Sequence, residues 1–226
     1  MITADQSPAL SWRDGSVPVA TRFDDPYFSA AGGLAETRHV FLSGNDLPAR
    51  LRPGFRIAEL GFGTGLNLLA TLIATRAAGR PGPLHYTSFE AFPLAAPDIA
   101  RALSAFPEAA AAAPPFLAQW AAGATRIALD GITLEVILGD ARTTLPAWQG
   151  HADAWYLDGF SPAKNPELWS DGLLAEVARH TAALGTFATY TAAGHVRRAL
   201  QAAGFAVSRL PGFGRKRHMS AGILIR

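Results

Sequence analysis

Ile57-Ala58-Glu59-Leu60-Gly61-Phe62-Gly63-Thr64-Gly65-Leu66-Asn67 decides the reading of this 226-residue chain. An apolar run that halts on glycines and resumes with helix formers predicts a buried strand, a tight turn and a helix starting near Thr64. Glycine suits such a turn because it accepts backbone angles that a Cβ forbids and lets a ligand approach the chain closely. The first N–H groups of the helix are left unpaired and face whatever lies against the turn. The spacing is G-x-G-x-G, not the G-x-G-x-x-G of dinucleotide enzymes, and Glu59 stands two residues before the first glycine. Taken alone, the stretch also suits a structural turn in another α/β fold.

The acid together with this glycine spacing resembles the first motif of the Rossmann-like, class I S-adenosylmethionine-dependent methyltransferases. The cofactor that this implies has no pyrophosphate; its sulfonium and amino acid zwitterion suit a nearby carboxylate. Composition agrees with a globular enzyme: 49% hydrophobic, 17% charged, formal net charge +2. Met1 to Leu10 lacks the plan of a secretion signal and no apolar run is long enough to span a bilayer, so a cytoplasmic enzyme is expected. The chain has no cysteine, which excludes disulfides, thiolate metal sites and methylation of a pyrimidine carbon through a cysteine adduct. An acceptor that is already nucleophilic, an amine or a hydroxyl, is expected instead. No two histidines lie close enough in sequence for a local metal pair, so no metal is expected.

Residues 1–54 read as an N-terminal extension packed on the domain near the site entrance, made of short strand-like pieces and turns with little helical period. Residues 55–226 read as one methyltransferase domain. Strands and helices alternate there, which predicts a mostly parallel sheet covered on both faces. The expected strands are Arg56–Leu60, His85–Glu90, Ile132–Leu138, Ala154–Leu157 and Thr186–Tyr190. The expected helices are Thr64–Ala78 (stopped by Gly79 and Pro81), Leu94–Ala105, Pro107–Ala122 (broken at Pro114-Pro115), Glu167–Ala183 and Ala193–Ala203. Asp130-Gly131 predicts a hairpin with Arg126–Leu129, and Phe205–Leu210 with Ser220–Ile225 a closing antiparallel pair.

Three acids, Glu90, Asp140 and Asp158, each follow an expected core strand, where parallel sheets bind ligands. The fold class implies Glu90 for the ribose hydroxyls and Asp140, with Ala141 beside it, for the adenine. Asp158 ends the strand expected next to the glycine strand, so it should face the transferred methyl group. An amine attacks only when neutral, and a carboxylate there can take its proton and aim its lone pair. Phe160 and Pro162 are expected to wall the acceptor ring. A turn acid is the alternative for Asp158, since Asp-Gly is common in turns.

Longer motifs carry a closer resemblance. Phe23-Asp24-Asp25-x-Tyr27-Phe28-Ser29, Gly33-Leu34-x-Glu36-Thr37, Glu59-x-Gly-Phe-Gly-Thr-Gly-Leu-Asn67, Ser88-Phe89-Glu90-x-Phe92-Pro93-Leu94, Leu157-Asp-Gly-Phe-x-Pro-Ala-Lys-Asn-Pro166, Val196-Arg-Arg198 and Gly212-Phe-Gly-Arg-Lys-Arg217 stand in one order along the chain. The sequence resembles the methyltransferases that complete 5-methylaminomethyl(-2-thio)uridine at the tRNA wobble position. That resemblance implies methyl transfer to an aminomethyl nitrogen, with Asp158 at the amine. It implies cofactor contacts at Glu59, Gly61, Gly63, Gly65, Asn67, Glu90, Asp140 and Ala141. Acceptor contacts are implied at Asp25, Tyr27, Phe160, Pro162, Lys164 and Asn165. It also implies the anticodon loop of tRNA as partner, held by Arg197, Arg198, Arg215, Lys216 and Arg217. Ser161 stands where the family usually has alanine, and Ser220-Ala221 also departs from its pattern. Relatives are often fused to a flavin-dependent oxidoreductase; no second glycine fingerprint occurs here, so the stand-alone form is expected, although a segment of a fused protein would read the same. Methylation of a small free amine, or RNA binding without catalysis, are the other readings.

Overall fold

A sheet with a parallel centre carries the glycine turn at one end of its middle strand. The computed structural model describes residues 8–29, 32–79 and 83–225. The chain opens with three short antiparallel strands, β1 (Leu10–Arg13), β2 (Val17–Ala20) and β3 (Asp25–Pro26). Helix α1 (Gly33–Thr37) continues through a wide turn at Arg38–Leu42 and a tight one at Ser43–Asn45. Next come β4 (Arg56–Leu60), α2 (Leu66–Ala77), β5 (Leu84–Glu90), and the helices α3 (Ala96–Leu103), α4 (Pro107–Ala112) and α5 (Pro114–Ala121). The hairpin β6 (Arg126–Leu129) and β7 (Ile132–Leu138) leads to α6 (Ala141–Ala147) and β8 (Ala152–Leu157). After α7 (Asp171–Arg179), β9 (Thr181–Thr189) and α8 (Gly194–Ala202), the antiparallel pair β10 (Phe205–Pro211) and β11 (His218–Leu224) closes the fold.

The large sheet has the order β10-β11-β9-β8-β4-β5-β7-β6. Its five central strands are parallel, and antiparallel strands flank them on both sides. The chain lays β5 and β7 on one side of β4 and then crosses over to place β8 on the other. The switch point therefore lies between β4 and β8, where Leu60 pairs with Leu157. Strands covered on both faces run nearly continuously apolar, as β8 does. Alternation still sorts them: Ala58, Leu60, Trp155 and Leu157 enter one core cluster, while Ile57, Ala154 and Tyr156 enter the other.

Three expectations need correction. Residues 33–45 form a helical track, not strand pieces and turns. Its buried stripe is Leu34, Thr37, Phe41 and Asn45, at spacings of a helix, but two polar members disguise the period. Val40, Phe41, Leu42, Leu47 and Leu51 belong to the main core cluster. Second, the helix expected at Glu167–Ala183 is interrupted. Ser170 is extended (ψ 148) between a tight turn at Pro166–Trp169 and α7, and β9 already begins at Thr181. Pairing of Thr181 with Ala152 outweighs the helix propensity of Ala182 and Ala183. Third, α6 was not expected. Asp140 caps it by accepting from the Arg142 N–H at 2.9 Å, and Pro146 inside the segment hid it. Pro81, expected to help end the helix after the glycine turn, lies outside the described residues.

Candidate active site

The glycine turn is held in place by its neighbours as much as by its own sequence. Gly61 (φ 82) and Gly63 (φ 53) adopt left-handed angles. A Cβ on Gly61 would stand 3.2 Å from Gly159 Cα, and one on Gly63 3.2 Å from Tyr27 Cδ1. Glycine is therefore required by space and by conformation at both. Gly65 (φ 71) starts α2, packed against Phe62 and Phe116. Glu90, the last residue of β5, clamps the turn. Its Oε2 accepts from Gly63 N–H at 2.9 Å and its Oε1 from Phe92 N–H at 2.7 Å. Burial raises its proton affinity against these hydrogen bonds. The backbone N–H groups of Phe62 and Ala91 also face this carboxylate and lower its proton affinity.

Two clefts meet at the turn. The first, about 430 Å³, is bordered by Gly61, Glu90, Phe92, Asp140, Ala141, Phe160 and Asn165. The second, about 320 Å³, is bordered by Asp25, Tyr27, Glu36, Asn67, Asp158, Tyr190 and Lys216. A narrow passage of about 60 Å³ past Tyr27, Gly63, Asn67, Glu90 and Asp158 joins them. Asp140 is half-exposed and turned onto Arg142, whose Nε lies 2.9 Å from its Oδ2; that pairing holds its carboxyl below the usual range.

Asp158 follows β8 at the switch point. Its Oδ2 accepts from Asn67 Nδ2 at 2.8 Å and its Oδ1 from Gly159 N–H at 2.8 Å. Burial pushes its carboxyl up to about 6, opposed by the Asn67 and Gly159 hydrogen bonds and by the charge of Lys216. Both amide protons of Asn67 are committed, since Nδ2 also donates to Glu59 Oε1 at 2.8 Å, and Oδ1 accepts from Thr37 Oγ1 at 3.0 Å. Glu59 is 0% exposed, and its Oε2 takes the Ser88 hydroxyl at 2.7 Å. It does not border the clefts, so its influence reaches them through Asn67. Burial drives its carboxyl well up, against the hydrogen bonds from Ser88 and Asn67.

The segment around β3 roofs this junction. Phe160 stacks on Phe23 (centroids 4.6 Å apart) and meets Tyr27 edge-on at 5.1 Å. Asp25 Oδ2 accepts from Ser161 N–H at 2.8 Å, and Lys164 Nζ bonds to the Asp24 carbonyl and to Asp24 Oδ2. Lys164 is thus a strap between the roof and the loop after β8. Pro162, expected to wall the acceptor, borders neither cleft nor the passage. Of the basic residues, Arg198, Arg215 and Arg217 are exposed and Arg197 is half-buried. Lys216 instead turns into the second cleft, with Nζ 2.7 Å from Glu36 Oε1 and 4.2 Å from the Tyr190 ring centroid. Glu36 and Tyr190 were not anticipated. Their partners lie far away in sequence, although Glu36 falls in one of the motifs that carry the resemblance, Gly33-Leu34-x-Glu36-Thr37.

Comparison with known proteins bears on this geometry. The family model for S-adenosyl-L-methionine-dependent methyltransferases matches residues 107–224, just over half of the chain. The chain belongs to that family. The match includes Asp140 and Asp158, and S-adenosylmethionine is the cofactor. A tRNA 5-methylaminomethyl-2-thiouridine biosynthesis bifunctional protein, MnmC, of Ectopseudomonas mendocina is 49% identical over 94% of this chain and 34% of its own length. Its counterpart from a Caulobacter species is 48% identical over 92% of this chain and 37% of its own. This methyltransferase thus spans about a third of the length of these curated relatives. The crystal structure of MNMC2 from Aquifex aeolicus superposes with a TM-score of 0.75 at 27% identity, covering 98% of this chain and 72% of that one. The clefts of this methyltransferase fit the cofactor. The turn is bare of side chains at Gly61 and Gly63, where a Cβ would press on Gly159 or Tyr27, and the Glu90 carboxylate stands at the end of β5 on the border of the first cleft. Glu90, Asp140 and Ala141 would hold the nucleoside in the first cleft, with Gly61 and Gly63 along the passage to Asp158.

Proposed function

We propose that this methyltransferase moves a methyl group from S-adenosylmethionine to the aminomethyl nitrogen of 5-aminomethyl-(2-thio)uridine at the tRNA wobble position, giving 5-methylaminomethyl-(2-thio)uridine. The observation that carries this reading is Asp158, a half-buried carboxylate at the passage between the two clefts. The relatives, which are named for 5-methylaminomethyl-2-thiouridine biosynthesis on tRNA, support the choice of acceptor. When bound, the cofactor supplies an electrophilic methyl group on a sulfonium.

The acceptor nitrogen needs its lone pair. If its pKa is near the 10.4 of a lysine amine, neutralising it at pH 7 costs roughly 4–5 kcal/mol. Asp158 reduces that cost in two ways. With its carboxyl at about 6 it is largely charged at pH 7, and it is a better proton acceptor than an ordinary aspartate by about 3 kcal/mol. Asn67 and Gly159 hold both of its oxygens, so the remaining lone pairs have fixed directions and aim the nitrogen. Phe160, at the rim of the roof, supplies apolar surface that keeps water from the passage.

The test is methyl-labelled cofactor incubated with tRNA carrying 5-aminomethyl-2-thiouridine, beside polyamines as free-amine acceptors. Label in the wobble nucleoside, located by mass spectrometry, is the expected result. Label only in the polyamines would replace this reading with a small-amine methyltransferase.

A further inference from the structure

The acceptor cleft already holds an alkylammonium group, and it belongs to the protein. Lys216 comes from the turn between β10 and β11, with its side chain 47% exposed. Its Nζ makes the 2.7 Å bond to Glu36, whose side chain is only 12% exposed, and lies 4.2 Å over the Tyr190 ring. Tyr190 is fixed in turn, because its hydroxyl donates to Gly159 O at 2.9 Å. A carboxylate beside an aromatic face is the chemistry that recognises a primary ammonium ion. All three side chains border the same cleft as Asp158.

We propose that Glu36 and Tyr190 form the ammonium-recognition end of the acceptor cleft, that Lys216 is its resident plug, and that the substrate's aminomethyl group displaces it. This deepens the proposed function and rests on it for the identity of the substrate. An aminomethyl group on a flat ring and a lysine ε-ammonium present the same R–CH2–NH3+ head group, so one site serves both. The plug is half in solvent, and its turn is held by backbone bonds independent of the side chain, Lys216 N–H to Phe213 O at 3.0 Å and Gly212 N–H to Arg217 O at 3.1 Å. Arg215 and Arg217, exposed on either side of it, would engage RNA phosphates as the substrate arrives and draw the turn outward. Glu36 is then free to receive the incoming cation next to Asp158, the group that accepts its proton. The charges already interact across this distance: Lys216 pulls the proton affinity of Asp158 down and Glu36 pushes it up.

The chain offers a direct readout, since Lys164 and Lys216 are its only lysines. Protein labelled with 15N-lysine, bound to S-adenosylhomocysteine, should show two Nζ signals, and the one missing from Lys216→Met identifies the plug. Titration with benzylammonium should move that signal toward the position of a free lysine and leave the Lys164 signal in place. In Glu36→Gln the Lys216 signal should start near the free position and not respond. A Lys216 signal unmoved at saturating benzylammonium, or both signals moving together, overturns the proposal. Kinetics with the free 5-aminomethyluridine nucleoside provide the second arm. Lys216→Met should lower KM at least threefold and Glu36→Gln raise it at least tenfold, each with kcat within threefold and cofactor binding unchanged. A Lys216→Met enzyme whose KM rises like that of Glu36→Gln would make Lys216 a substrate contact and refute the plug. The NMR arm needs no turnover, so a wild-type protein that methylates no RNA overturns the proposed function alone.

Discussion

Asn67 Nδ2 donates to Asp158 Oδ2 at 2.8 Å, while its other proton goes to Glu59 Oε1 at the same distance. The acid on the glycine strand and the acid at the acceptor cleft are therefore coupled by one amide. This gives Glu59 a role although it never reaches the cleft surface. It fixes the rotamer of Asn67, and Asn67 fixes the carboxylate proposed to meet the amine.

Replacing Asn67 by alanine should remove that coupling. The buried Glu59 and the half-buried Asp158 each lose a donor, and an unsatisfied buried group costs about 1–3 kcal/mol, so thermal stability should fall clearly. The Asn67 bond holds the proton affinity of Asp158 down, so its loss raises that affinity further above about 6. The acid limb of kcat/KM should move to higher pH. Measured pH profiles with coincident acid limbs in mutant and wild type would show that Asn67 does not tune Asp158.

The wild type should show its own acid limb near pH 6. Below it Asp158 is protonated and accepts nothing from the amine; above it the carboxylate is charged and the rate rises. In Asp158→Asn this limb should disappear. The methylation rate at pH 7 should fall more than tenfold and recover in part at higher pH, where more of the amine is neutral in solution. Wild-type turnover in that variant would reduce Asp158 to a turn residue.

Glu90→Ala should weaken S-adenosylmethionine binding at least tenfold. The variant loses the clamp on Gly63 and Phe92 and also the carboxylate proposed to accept the ribose hydroxyls, and hydrogen bonds to a charged group are worth roughly 1.5–3 kcal/mol each. Isothermal calorimetry, which needs no RNA, reads this directly. An unchanged affinity would move the nucleoside to another part of the first cleft.

Arg215→Ala with Arg217→Ala should weaken tRNA binding whatever the sequence of the anticodon loop. Each lost phosphate contact should flatten the plot of log affinity against log salt by about 0.7–0.9. Cofactor affinity should not change, because neither side chain borders the cofactor cleft. A salt slope equal to that of the wild type would put the RNA elsewhere, for instance across the surface around Arg22 and Arg38.

Much of the frame was legible because its signals are local. The strand at Arg56–Leu60, the Asp130-Gly131 hairpin and the acids that close β5 and β8 are announced by apolar runs that end on glycine or acid. The track at residues 33–45 was not legible, since Thr37 and Asn45 occupy buried positions that a hydrophobic pattern assigns to solvent. Those two residues are buried because distant groups satisfy them: Asn67 takes the Thr37 hydroxyl, and Asn45 Nδ2 reaches Trp155 O at 3.2 Å. The path of β9 was hidden for a similar reason, since the pairing of Thr181 with Ala152 starts the strand just before the helix formers Ala182 and Ala183.

The sequence by itself determined the parallel sheet, the glycine turn and the positions of the acids, because each depends on angles and periodicities within a few residues. Only the tertiary structure decided which acids face the clefts, that Lys164 ties down the roof, and that Lys216 turns inward to Glu36, 180 positions away. Long-range pairings of this kind have no local signature. They form where the sheet order brings the carboxyl ends of β4, β8 and β9 beside the β10–β11 turn, and burial there sets the protonation that the chemistry uses.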